Sequence, residues 1–160
     1  ELEATVVSTG VAEAGDIVAL DANGKLDPSV MPTGIGADVV VVLASESLAA
    51  GDYVNIYDNA GTPNCRKADA SAANAAEIAH GFVKDNVSSA ANATIYLEGT
   101  NDDLTGLTPG LTYALSHTVP GGVVALGSAT TTAGHSLQVV GTALSATALN
   151  TEIGSPIIRG

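Results

Sequence analysis

Asp21-Ala22-Asn23-Gly24-Lys25-Leu26-Asp27 places carboxylates around a Gly-containing loop, which is the raw material of a calcium site. A calcium loop of the EF-hand type needs oxygen ligands at positions 1, 3 and 5, Gly at 6 and Glu at 12. Counted from Asp21, Gly24 stands at position 4, Lys25 at 5 and Pro32 at 12, so the closing ligand is missing and a cation sits in the ring. Asn-Gly after an apolar run signals instead a hairpin with a type I′ turn, because both residues tolerate positive φ. A hairpin tip, and no metal, is the expectation for Asn23-Gly24.

Asn101-Asp102-Asp103 is the densest acidic cluster, and paired carboxylates can serve as acid and base or hold a metal. Adjacent residues of an extended chain point to opposite sides, so a solvated loop is expected. His80, His117 and His135 show no spacing that suggests a shared metal, although an oligomer axis could gather copies of one histidine. The single Cys65 excludes an intrachain disulfide and leaves no Cys-x-x-Cys pair for zinc. No nucleophile elbow, phosphate loop or dinucleotide fingerprint occurs, and the sequons at Asn86 and Asn92 are assigned no function. No catalytic residue, metal or cofactor is expected, and the chain reads as a non-enzyme.

The elements that must position these residues read as strands. Pro, Gly and Asn divide the 160-residue chain into short segments rich in Val, Ile, Tyr and Thr, the pattern of an all-β domain. Expected strands are Asp16–Leu20, Val39–Leu43, Tyr53–Tyr57, Glu77–Val83, Thr94–Glu98, Leu111–Ser116, Val123–Leu126 and Leu137–Leu144. Leu111, Tyr113 and Leu115 alternate with Thr112, Ala114 and Ser116, as in a half-buried antiparallel strand. Val39–Leu43 is apolar throughout and suits a sheet centre or an interface, since an exposed edge of that kind aggregates. Ala14-Gly15-Asp16-Ile17-Val18 is echoed by Ala50-Gly51-Asp52-Tyr53-Val54, which predicts two similarly built hairpins. Ala68–Ala79 is expected as a loop running into a strand, and Asp27–Asp38, with Pro28 and Pro32, as an extended, non-sheet segment. The architecture expected is an antiparallel β-sandwich, jelly roll or small β-barrel over 39–160, preceded by an arm and first hairpin over 1–38.

Charge and composition narrow the partners. The formal charge is −12, and the five cations, Lys25, Arg66, Lys67, Lys84 and Arg159, are scattered. Nucleic acid and anionic membranes are therefore not expected as partners, because both need clustered Lys and Arg. The opening ELEATVVSTG is acidic and lacks an apolar run of signal length, so no membrane or secretion address is expected. With no Trp, one Phe, one Met and four Tyr, the core rests on Ala and Val. Burying a Val or Leu is worth about 1.5–3 kcal/mol and an Ala much less, so partner chains are expected to add burial.

Three segments carry a resemblance: Gly15–Leu26 (GDIVALDANGKL), Gly106–Ser116 (GLTPGLTYALS) and Gln138–Asn150 (QVVGTALSATALN). They resemble β-rich virion proteins of tailed bacteriophages, in particular capsid decoration (cement) proteins and related head-fibre or tail-fibre modules. The resemblance implies an all-β, usually trimeric protein on the outer capsid surface, with the major capsid protein and its own copies as partners. Within that frame, Val6, Val7, Val11, Val30, Met31 and Ile35 are candidate apolar anchors of the arm, and Tyr53 and Tyr57 candidate contacts on a covered strand face. One alternative is a fibre module whose loops Asn101–Thr105 and Thr118–Gly122 touch host-surface glycans. Another is a polysaccharide hydrolase acting through Asp102 or Asp103.

Overall fold

A computed structural model describes residues 4–10, 14–31, 37–72 and 76–160. The chain divides into two compact units, Glu1–Asp38 and Val39–Gly160. The architecture is all-β, with several sheets and one closed five-stranded barrel.

In the first unit, β1 (Ala4–Thr5) pairs with β2 (Ile17–Val18) in parallel. A tight loop closes at Asn23-Gly24, with the Asp21 N–H bonded to the Lys25 carbonyl, but the expected type I′ turn does not form. Gly24 donates its N–H to the Asp21 carbonyl, and Gly24 alone has positive φ, at 72°. A type I′ turn needs positive φ at both central residues, so this is a different, Asp-capped turn. Downstream, Pro28–Val30 forms a short 3-10 turn where an extended segment was expected, because the Asp27 carboxylate accepts the Ser29 N–H and the Asp27 carbonyl the Val30 N–H. Residues 32–36 lie outside the described residues.

In the second unit, β3 (Val39–Ala44), β4 (Tyr53–Asn59), β5 (Thr62–Lys67), β6 (Gly81–Val83) and β7 (Asn92–Tyr96) close a barrel in the order β3-β5-β4-β6-β7. Only β3 and β5 run parallel. The type I′ geometry appears at the β4–β5 hairpin, where Ala60 and Gly61 have φ of 52° and 87°. The two Gly-Asp units therefore share a left-handed glycine before a strand, at Gly15 and Gly51, but only the second leads into a type I′ turn between two paired strands. An L-residue other than Asn or Asp is strained in this region. Ala60→Asn is expected to stabilise the fold by about 0.5–1 kcal/mol, a rise of roughly 1–4 °C in Tm. A melting temperature unchanged or lowered would contradict the strain argument.

Every barrel strand sends small or branched side chains inward: Val42 and Ala44, Val54, Cys65, Val83, and Ala93 with Ile95 form one buried cluster. Five strands enclose little space, so Ala, Val and Cys fill it where aromatics would not fit. The neighbours of those residues point outward. Tyr53 and Phe82 join a second cluster with Ala68, Tyr113, Leu115, Val140 and Leu149, beneath a five-stranded antiparallel sheet. That sheet runs β10-β9-β12-β13-β8, with β8 Gly99–Asn101, β9 Thr112–Leu115, β10 Val123–Ala125, β12 Val139–Ala143 and β13 Leu149–Thr151. A further ribbon pairs β11 (Ser136–Leu137) with β14 (Ile157–Ile158). The β9 strand departs from the half-buried pattern, for Ala114 is as buried as Tyr113 and Leu115.

Buried polar side chains hold barrel and sheet in register. The Tyr53 hydroxyl meets Thr151 Oγ1 at 2.9 Å, and Asn101 Nδ2 donates to the Gly51 carbonyl at 2.9 Å. Gln138 accepts the Ala79 N–H and donates to the carbonyls of Ala79 and Gly154. The expected strand Glu77–Val83 is shortened to Gly81–Val83, with Ala79 bonded to Gln138 and the His80 N–H reaching the Val54 carbonyl just ahead of it.

Candidate functional site

The residues with chemical potential are, one by one, occupied by structure. Asp21 Oδ1 accepts the N–H groups of Asn23 and Lys25 at 2.8 Å each, and the Asp21 N–H donates to the Lys25 carbonyl. The Lys25 N–H is the main cause of a carboxyl held below the usual carboxylate range. This carboxylate caps a turn. Asn101 turns inward to Gly51, whereas Asp102 is exposed and pairs with Lys84 at 3.1 Å, which holds its carboxyl low. Only the asparagine enters the core, and Asp102 and Asp103 both stay exposed. Cys65 is wholly buried in the barrel, and burial pushes its thiol up, away from the reactive thiolate.

The fold brings His117 and His135 together, with ring centroids 6.4 Å apart, and Thr130 Oγ1 lies 2.9 Å from His135 Nδ1. Nothing in their spacing in the sequence announces this pair. Among the described residues no group of three or more His, Cys, Asp or Glu is placed to hold a metal. His80 stands apart, with Nδ1 accepting the Ile56 N–H at 2.9 Å. Burial holds its pKa below the usual imidazole value. Protonation would both charge a half-buried ring and remove that acceptor. Below about pH 6.5 the unfolded chain takes up a proton that the folded chain resists, so stability is present above that pH and is lost as pH falls through the folded pKa. An NMR titration should place the His80 midpoint below that of a free imidazole. A midpoint above it would contradict this assignment.

Chemistry gives way to surface. On β3, Val42 and Ala44 face the barrel interior, while Val39, Val41 and Leu43 face outward and remain 43%, 60% and 38% exposed. Their cross-strand partners on β7 are Tyr96, Thr94 and Asn92. Leu43 pairs with Asn64 on β5, and Asn64 with Tyr57 on β4, so one uncharged row crosses three strands. At its end, the Arg66 guanidinium lies 4.5 Å over the Tyr57 ring and pairs with Glu77 at 3.0 Å. β3 is paired along Val39–Leu43 with β7, whereas its pairing with β5 is confined to Leu43 and Ala44.

The expected contact residues fall into different places. Tyr57 is half-buried on that outward row. Tyr53 is wholly inside the chain's own core, where burial raises its hydroxyl to about 12, so it has no surface for a partner. In the first unit Val7 is 55% exposed, Val6 half-buried, and Val30 and Met31 line a pocket. Val11 and Ile35 lie outside the described residues. The segments that carry the phage resemblance run through β2 and the Asp21 turn, β9, and the β12–β13 hairpin, all of them framework. No family model matches this chain, and no curated protein matches it either.

Proposed function

We propose that this chain is a structural virion protein that docks on the outer surface of a tailed-phage capsid as a homotrimer and stabilises the lattice. The observation that carries the reading is the exposed apolar row Val39, Val41 and Leu43 on the outward face of barrel strand β3. Apolar faces of this kind on an otherwise acidic protein mark contact surfaces. An uncharged row is also where copies of a chain with formal charge −12 can meet without mutual repulsion. The first unit adds further adhesive surface in Val7, Ile17, Val18, Leu20 and Leu26, all exposed. A binder that recognises only the assembled lattice contributes its binding free energy to that lattice, and three linked copies turn weak contacts into durable ones.

The 160-residue chain should sediment as a trimer and pellet with empty phage capsids. Val41→Glu, at an exposed position, should leave the circular dichroism unchanged while shifting the species to monomer, because burying an unpaired carboxylate is costly. A wild-type chain that stays monomeric at micromolar concentration would overturn the trimer. Failure to pellet with capsids would overturn the docking, and adsorption to host cells in its place would favour the fibre reading.

A further inference from the structure

The first unit contains a pocket of about 340 Å³ whose lining divides by chemistry. The polar residues of the lining are Thr5, Ser8, Asp16 and Ser29, and the apolar ones Val18, Val30 and Met31. Thr5 Oγ1 donates to Asp16 Oδ2 at 2.8 Å, which fixes the carboxylate and occupies one of its two oxygens. The ion pairs among the described residues are Arg66–Glu77, Lys67–Asp52 and Lys84–Asp102, all in the 39–160 unit, so no described cation neutralises Asp16. A half-buried, oriented carboxylate beside an apolar wall matches one kind of occupant closely: a long basic side chain, whose methylenes lie on the wall while its head meets the acid. A sugar would look for an aromatic face, and the lining has none.

We propose that this pocket is a socket for an arginine or lysine side chain presented by a partner protein, with Asp16 Oδ1 receiving the charged head and Val18, Val30 and Met31 the stem. Arginine fits better than lysine, since its planar fork presents several donors to a carboxylate where lysine presents a point charge. The socket deepens the docking reading and rests on it for the partner's identity: the capsid surface would present the basic residue. Buried basic anchors in pockets are the residues that concentrate binding energy at interfaces, and exposed Val7, Ile17 and Leu20 would supply the surrounding contact.

The probe is N-acetyl-arginine amide, titrated into the 160-residue chain and followed by NMR, with N-acetyl-citrulline amide as the neutral isostere. Saturable shifts are expected at Asp16, Val18 and Met31, with citrulline binding at least about tenfold more weakly, as the loss of a charge-assisted hydrogen bond implies. Asp16→Asn should weaken arginine binding by a similar factor. It retains an oxygen for the Thr5 hydroxyl, so the amide spectrum outside the pocket should be unchanged. Equal binding of citrulline, shifts away from the pocket, or no saturation would overturn the socket. Capsid pelleting decides the docking separately. If arginine amide titrates the pocket while the wild-type chain ignores capsids, the socket stands and the docking reading fails. If capsids are bound equally by wild type and Asp16→Asn, the socket is not the docking element and this inference fails.

Discussion

Gly141→Ala is expected to destabilise the 39–160 unit by about 3–5 kcal/mol, enough to leave much of the protein unfolded at physiological temperature. Gly141 sits in β12 where the register with β9 shifts, at a φ of +153° that L side chains rarely adopt. A Cβ there would run into the Asn150 carbonyl oxygen and a methyl of Leu149. Neither can yield: Asn150 belongs to β13, paired with β12 on one side and β8 on the other, and Leu149 is wholly buried. Overpacking and backbone strain therefore act at the same point. Gly127→Ala is the matched control, since its Cβ would meet nothing within 4 Å, and it should change stability by less than about 0.5 kcal/mol. Urea unfolding of the two variants against wild type tests the argument. A Gly141→Ala midpoint within error of the control would sink it.

Gln138→Leu has the second largest expected effect, for a reason opposite to the one hydrophobicity suggests. Gln138 is 2% exposed, a degree of burial at which Leu is far commoner than Gln. Yet the glutamine amide satisfies the Ala79 N–H at 2.8 Å, the Ala79 carbonyl at 3.0 Å and the Gly154 carbonyl at 3.1 Å. Each buried backbone group left without a partner costs about 1–3 kcal/mol, and Gly154, which is half-buried, can partly recover through water. A loss of about 3 kcal/mol, or a fall of roughly 6–12 °C in Tm, is expected. Hydrogen exchange gives an independent readout: the Ala79 amide should exchange far faster in Gln138→Leu, even where global stability is compensated by added salt or osmolyte. Unchanged protection at Ala79 would show that the glutamine is not its partner in solution.

How far the sequence was legible follows from these residues. Val39–Ala44 and Tyr53–Asn59 stand out as strands because branched and aromatic residues cluster between turn signals. Thr62–Lys67 does not, since TPNCRK holds Pro, Asn, Arg and Lys, and it is a strand because the Ala60-Gly61 turn folds it back on β4 and the narrow barrel asks only Cys65 to point inward. The three-residue strands β8 and β13 were likewise unreadable, for pairing partners rather than their own composition hold them. At the candidate site, β3 was recognisable as a strand that needs cover, but Asp16 was not recognisable as the acid of a pocket. One carboxylate among many carries no signal until Thr5, Ser29 and Met31 are gathered around it.

By itself the sequence determined the β class, the acidic surface, the lack of motif-grade chemistry and the failure of Asp21–Asp27 as an EF-hand loop, because each of these follows from residue type and local spacing. The tertiary structure alone decided which turn is type I′, which of five consecutive apolar residues on β3 face solvent, and that Gln138 serves Ala79 across 59 residues. Period-two alternation cannot be read where both faces are apolar. A φ above zero at Ala60 is imposed by the strands it joins, and a single buried amide that pairs with a distant backbone leaves no pattern along the chain.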